Sequence, residues 1–136
     1  MHQIKFIHII CTEPRIQKLY HDYLVKNNLF GEFDTIQYEN PILDFLNPNK
    51  LDKMMERIKL YQELHGPDKI ILFDHLDCGA YKKNGYKFSS FKNEVLKHQE
   101  NNEKVVEILR RELLDMGVEI KYIKINEQGK AVWINL

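Results

Sequence analysis

The sequence has no surplus of charge of either sign: 20 Lys and Arg are matched by 20 Asp and Glu. Without a net field nothing draws the chain to nucleic acid or to an anionic membrane, and neither is expected as a partner. Long apolar runs are also missing. The longest, Ile4 to Cys11, is broken by Lys5 and His8 and falls far short of the ~20 residues that a membrane-spanning helix needs. It lacks the flanks and cleavage site of a secretion signal, so the expected location is cytoplasmic. Proline (4) and glycine (6) are sparse, and no repeat, low-complexity tract or linker breaks the chain. There is no G-x-G-x-x-G or phosphate-loop pattern, which removes the usual sequence basis for nucleotide binding.

Cysteine is scarce too. Cys11 and Cys78 are the only two, and they do not form a C-x-x-C pair. In a reducing compartment such thiols are expected to be free, which leaves ligation, redox chemistry or plain burial as their roles.

What remains is ordinary globular composition, 43% hydrophobic and 29% charged over 136 residues. It predicts a single domain, 1–136, with one core. The β-branched run Ile4 to Ile10, ending at Cys11, reads as a buried parallel strand. Thr12, Glu13 and Pro14 then open a helix whose stripe is Ile16, Leu19, Tyr20, Tyr23 and Leu24. A strand at Phe33 to Tyr38 follows a turn around Gly31, and Asn40 to Pro48 reads as an ordered loop. A helix from Lys50 to Leu64 is stopped by Gly66 and Pro67, and a short strand, Lys69 to Phe73, runs into Asp74 and His75.

Phe91 to Met116 has a helical pattern with a polar middle, Lys97 to Lys104, and fits one long helix or two broken ones. Val118 to Ile125 and Ala131 to Ile134 close the chain as a strand and an antiparallel return. Alternating strands and helices predict an α/β fold, an open and mostly parallel sheet of four to five strands with helices on both faces. Binding crevices in such sheets lie beyond the carboxyl ends of the strands, where strand order reverses. Cys11 and His75 each stand at such an end.

His75-Leu76-Asp77-Cys78 has the spacing that lets one loop offer an imidazole and a thiolate to a single tetrahedral ion, with Cys11 as a third ligand from a distant strand. Three protein ligands leave a fourth place for water. The run HLDCGAY, His75 to Tyr81, resembles the H-x-x-C-G-A signature of β-class carbonic anhydrases, and CTEPR, Cys11 to Arg15, resembles their C-x-D-x-R signature. The order and interval of the two motifs agree with that family as well.

The resemblance implies a zinc cofactor held by Cys11, His75 and Cys78, with Glu13 and Arg15 at the positions of the family's catalytic carboxylate and its partner arginine. It implies reversible hydration of carbon dioxide to bicarbonate by a zinc-bound hydroxide, which zinc makes accessible by lowering water towards a pKa of about 7. It also implies a homodimer or higher homo-oligomer. Two positions depart from the family pattern: Glu13 replaces an aspartate, and Tyr38-Glu39-Asn40-Pro41 stands where an Arg-Asn-Ala-Gly run shapes the substrate pocket. The longer Glu13 admits an alternative in which its carboxylate closes the metal site and the protein is non-catalytic. A related hydrolase acting on another small electrophile, such as carbonyl sulfide, is a further alternative.

Around the motif, Asp77 is expected to accept backbone hydrogen bonds and Asp74 to be a surface residue at a strand end, with orientation of a metal-ligating side chain as its alternative role. Gly79 is expected to let the loop turn near the metal, and Lys82, Lys83 and Lys87 to form a basic, solvated loop. His2, His8, His21, His65 and His98 lack ligand spacing and read as structural or surface residues.

Overall fold

A computed structural model describes residues 2–136. Its centre is a five-stranded sheet in the order β2-β1-β3-β4-β5, built from β1 (Phe6–Cys11), β2 (Phe33–Tyr38), β3 (Lys69–His75), β4 (Gly117–Ile125) and β5 (Ala131–Ile134). The first four strands run parallel and β5 returns antiparallel to β4. The α/β class, the strand count and the closing hairpin are therefore as the sequence implies.

Among the described residues four α-helices flank the sheet: α1 (Gln17–Lys26), α2 (Leu51–His65), α3 (Gly79–Lys83) and α4 (Phe91–Glu112). Alternation along each strand divides the apolar residues between two faces. Ile7, Ile9, Ile70 and Leu72 pack on one face with Met54, Met55 and Ile58 of α2 and Val105 and Leu109 of α4. Ile10, Ile71 and Phe73 pack on the other with Ile16 and with Tyr20 and Leu24 of α1. Helices thus cover both faces, as expected for a parallel sheet whose strands are buried throughout.

Two local expectations need correction, and one left open is settled. Glu13 and Pro14 lead first into a 3-10 turn, Pro14–Ile16, and α1 starts only at Gln17. Pro41–Leu46, inside the expected loop, forms another 3-10 turn that buries Ile42 and Phe45. The polar middle of the last helix does not break it: α4 runs unbroken for 22 residues, with Ser90 capping its start. His98, Asn101 and Asn102 are buried on its inner face, in line with Val105 and Leu109 at helical spacing. Gly66 ends α2 in the left-handed conformation, φ 64°, where glycine carries no Cβ penalty.

The hydrogen-bonded neighbours β1 and β3 lie where strand order reverses: β2 is added on one side of β1, whereas β4 and β5 continue beyond β3. The crevice expected of this topology opens at their carboxyl ends. No helix among the described residues is long and apolar enough to cross a membrane.

Candidate metal centre

β1 delivers Cys11 and β3 delivers His75 to that crevice. Leu76 anchors the following loop by donating its N–H to the Ile123 carbonyl of β4 at 2.9 Å. Asp77 then turns with φ 57°, a conformation that Asp tolerates better than most residues, and brings Cys78 back beside His75. One ligand atom each from Cys11, His75 and Cys78 lies within 4.8 Å of the others, so that the three could hold a metal ion. All three side chains are buried.

The ring of His75 shows how well this set fits a metal. Its Nδ1 lies 2.9 Å from the Leu76 carbonyl, which can only accept, so Nδ1 carries the proton and Nε2 presents a lone pair. That Nε2 is buried with no hydrogen-bond partner. A buried acceptor without a donor is costly unless something positive fills the gap, and a backbone carbonyl on the opposite nitrogen is the usual orienting partner of a metal-binding histidine. Two sulfurs and one imidazole nitrogen suit zinc, which takes such donors readily.

The two thiols differ in their ease of ionisation. Its hydrogen bond with Cys78, helped by the Asn40 amide, lowers Cys11 to about 6. The same contact and burial push Cys78 up to about 12. Burial opposes protonation of His75, but the adjoining Cys78 sulfur outweighs it and the net shift is upward.

Arg15 organises the rim. Its Nε and its backbone N–H both donate to Glu13 Oε1, and the guanidinium also reaches Asp77, with 3.0 Å to Oδ2 and 3.2 Å to the carbonyl. The hydrogen bond from Arg15 holds the Glu13 carboxyl below the usual carboxylate range. Glu13 also caps the Pro14–Ile16 turn, so its roles as a local cap and as a partner of Arg15 coexist. Glu13 and Asp77 are not among the residues whose atoms converge.

Several expectations around the motif change. Asp77 accepts from the side chains of Arg15 and Lys82, not from backbone, while its own N–H donates to Glu94 at 2.7 Å. Burial pushes the Asp77 carboxyl up, but Lys82 and Arg15 outweigh it and the net shift is downward. Asp74 is not at the surface. It is 2% exposed because alternation along β3 turns it towards α4, where His98 and Asn102 donate to it. Gly79 has no special backbone demand: a Cβ there would meet nothing within 4 Å, and the strained turn falls on Asp77 instead. Lys82 is tied to Asp77, whereas Lys83 lines the cavity.

That cavity, of about 940 Å³, opens over the site and is lined in part by Cys11, Glu13, Tyr38, Asn40, Cys78 and Lys83. Asn40 is the residue that sequence reasoning passed over. It is buried and contacts both sulfurs, its N–H 3.3 Å from Cys11 Sγ and its Nδ2 3.4 Å from Cys78 Sγ. The signals in the sequence were its place in the run that departs from the family's pocket-shaping segment and a polar residue next to proline just past the end of a strand.

Comparison with known proteins agrees with the motifs. The model of one protein family, described as "Putative carbonic anhydrase", matches residues 1–133. No curated protein matches the chain.

Proposed function

Because the chain belongs to this carbonic anhydrase family, which spans residues 1–133, we propose that it is a zinc-dependent enzyme that hydrates carbon dioxide reversibly. Cys11, His75 and Cys78 would hold the metal. The observation that carries this reading is the unpartnered, buried Nε2 of His75 facing two cysteine sulfurs at the switch point of the sheet. When bound, zinc supplies the Lewis acidity that ionises water near neutral pH.

The protein's own groups position the reactants. Glu13 is kept ionised by Arg15, so at neutral pH it accepts protons in hydrogen bonds and does not donate them. Its Oε1 is occupied by Arg15, which leaves Oε2 to orient a water or hydroxide in the cavity. Arg15 is itself fixed by Asp77, and the carboxylate therefore has a defined direction. This pairing supports an open metal position over one closed by Glu13. Lys83, on the cavity wall, suits attraction of the anionic product, bicarbonate. Family membership further supports a homodimer, and a cytoplasmic location fits the free cysteines.

Metal analysis combined with stopped-flow carbon dioxide hydration tests the reading. Zinc-loaded protein should bind one equivalent and accelerate hydration, and Cys78→Ser should do neither. Equal rates for the two proteins would remove the catalytic assignment.

A further inference from the structure

Asn40 makes two donations that converge on the proposed metal ligands from a single residue. Its backbone N–H points to Cys11 Sγ at 3.3 Å and its side-chain Nδ2 to Cys78 Sγ at 3.4 Å. It does so from a left-handed backbone conformation, φ 38° and ψ 72°, that a residue preceding proline normally avoids. Pro41, the next residue, works against that geometry. It is held because Pro41, Ile42 and Phe45 are buried behind it while the two sulfurs draw both donors inward. Asn is also among the few non-glycine residues that enter this region at modest cost.

Resting on the proposed zinc site, we infer that Asn40 is a positioning residue that tunes the metal through its two sulfur ligands. The chemistry follows from charge. Two thiolates neutralise a dication and weaken it as a Lewis acid. An N–H donor on each sulfur withdraws part of that negative charge and fixes the direction of the sulfur lone pairs. Hydrogen bonds to ionised acceptors are among the stronger ones, and outer partners of metal ligands typically set about 10- to 100-fold in metal affinity. Supply of both donors by one residue also couples the spacing of the two sulfurs, one at the end of β1 and the other in the loop between β3 and α3. The backbone donor survives any substitution except proline. The specific contribution of asparagine is therefore the Nδ2 donor at Cys78.

The test compares wild type with Asn40→Asp and Asn40→Gly. Asp keeps the shape but sets a carboxylate oxygen against Cys78 Sγ. Gly removes the side-chain donor and relieves the backbone, which keeps the fold safe. Zinc affinity is measured by competition with a chromophoric chelator, and the cobalt-substituted proteins are examined for the sulfur-to-cobalt charge-transfer band. We expect affinity to fall about 10- to 100-fold in Asn40→Asp and by less in Asn40→Gly. The charge-transfer band should move to longer wavelength in both, because sulfur lone pairs that lose a donor rise in energy. A purely structural role would leave that band in place. Affinity within about twofold of wild type together with an unmoved band in Asn40→Gly would overturn the inference. Wild-type protein that binds no zinc would instead remove the metal site itself, and the inference with it.

Discussion

His98 Nδ1 and Asp74 Oδ2 lie 2.7 Å apart, and both side chains are sealed from solvent. Asn102 donates to the same oxygen at 2.8 Å, and Tyr81 stacks on the His98 ring with centroids 4.0 Å apart. Since Asp74 immediately precedes His75 on β3, this cluster clamps the end of that strand to α4 and to the start of α3. A buried carboxylate is tolerated where it is hydrogen-bonded, and the side-chain donors to Asp74 come from α4. Strand and helix are therefore locked in register by polar contacts within an otherwise apolar layer.

Removing the acceptor should be expensive. Asp74→Ala leaves the His98 Nδ1 and Asn102 Nδ2 donors buried without that acceptor, a loss of about 3 kcal/mol or more in unfolding free energy. Urea denaturation of metal-free protein measures it directly. A loss below about 1 kcal/mol, the range of a surface ion pair, would mean that water reaches the cluster.

Arg15 predicts the opposite balance. Its pairs with Glu13 and Asp77 lie at the rim, with the Arg15 side chain 37% exposed, and such pairs contribute about 0–1 kcal/mol. Arg15→Ala should therefore leave stability within about 1 kcal/mol and zinc content unchanged, yet reduce carbon dioxide hydration about 10- to 100-fold because Glu13 loses its orientation. Stopped-flow rates, zinc content and urea midpoints on one preparation separate the effects. Full activity in the variant would remove Glu13 and Arg15 from the proposed chemistry.

The fold was largely legible in the sequence, and for a physical reason: strands buried on both faces must be nearly continuous in apolar residues, as Ile70 to Phe73 is and as Ile7 to Ile10 is but for His8. The site was legible where chemistry demands rare residue types, at Cys11, His75 and Cys78. Illegible were the contacts that depend on tertiary partners. Asp74 looked like a surface residue because its partners lie more than 20 positions away on α4. The polar middle of α4 left one helix or two open because Asn101 and Asn102 carry no apolar signal, although their spacing from Val105 and Leu109 marks one helix face. Asn40 was silent because a loop asparagine has many uses, and only the neighbouring sulfurs select one.

Burial of His8 gives the protein a defined sensitivity to acid. The ring is fully buried among Phe33, Phe73 and Tyr20, and desolvation lowers its pKa from 6.5 to about 4. The unfolded chain protonates at the higher value, so below it the unfolded state binds more protons and stability falls as pH falls. The contribution is complete above pH 6.5, is lost progressively down to about 4, and amounts to on the order of 3 kcal/mol. Unfolding free energies of wild type and His8→Phe, measured by urea at steps through this window, should converge or cross as pH falls. Parallel curves would show that His8 does not titrate on unfolding.

Metal binding should release protons in a pH-dependent number, because the ligands of the metal-free site are unequally ionised and zinc requires both sulfurs as thiolates and the imidazole neutral. The contact with Cys78 holds Cys11 near 6, so above neutrality it is already ionised, while Cys78, raised to about 12 by the same contact and by burial, still carries its proton. Near pH 9 about two protons should leave per zinc bound, one from Cys78 and one from the water that the metal ionises. As pH falls, His75, whose pKa is raised chiefly by Cys78 against the effect of burial, gains a proton that zinc must also displace. Below the Cys11 value that thiol adds another, and the number rises towards three. Calorimetric titration with zinc in buffers of different ionisation enthalpy counts these protons. Release of three near pH 9 would show that the cysteines do not share a proton, and release of fewer than two would show that Cys78 does not bind the metal or that no water ionises on it.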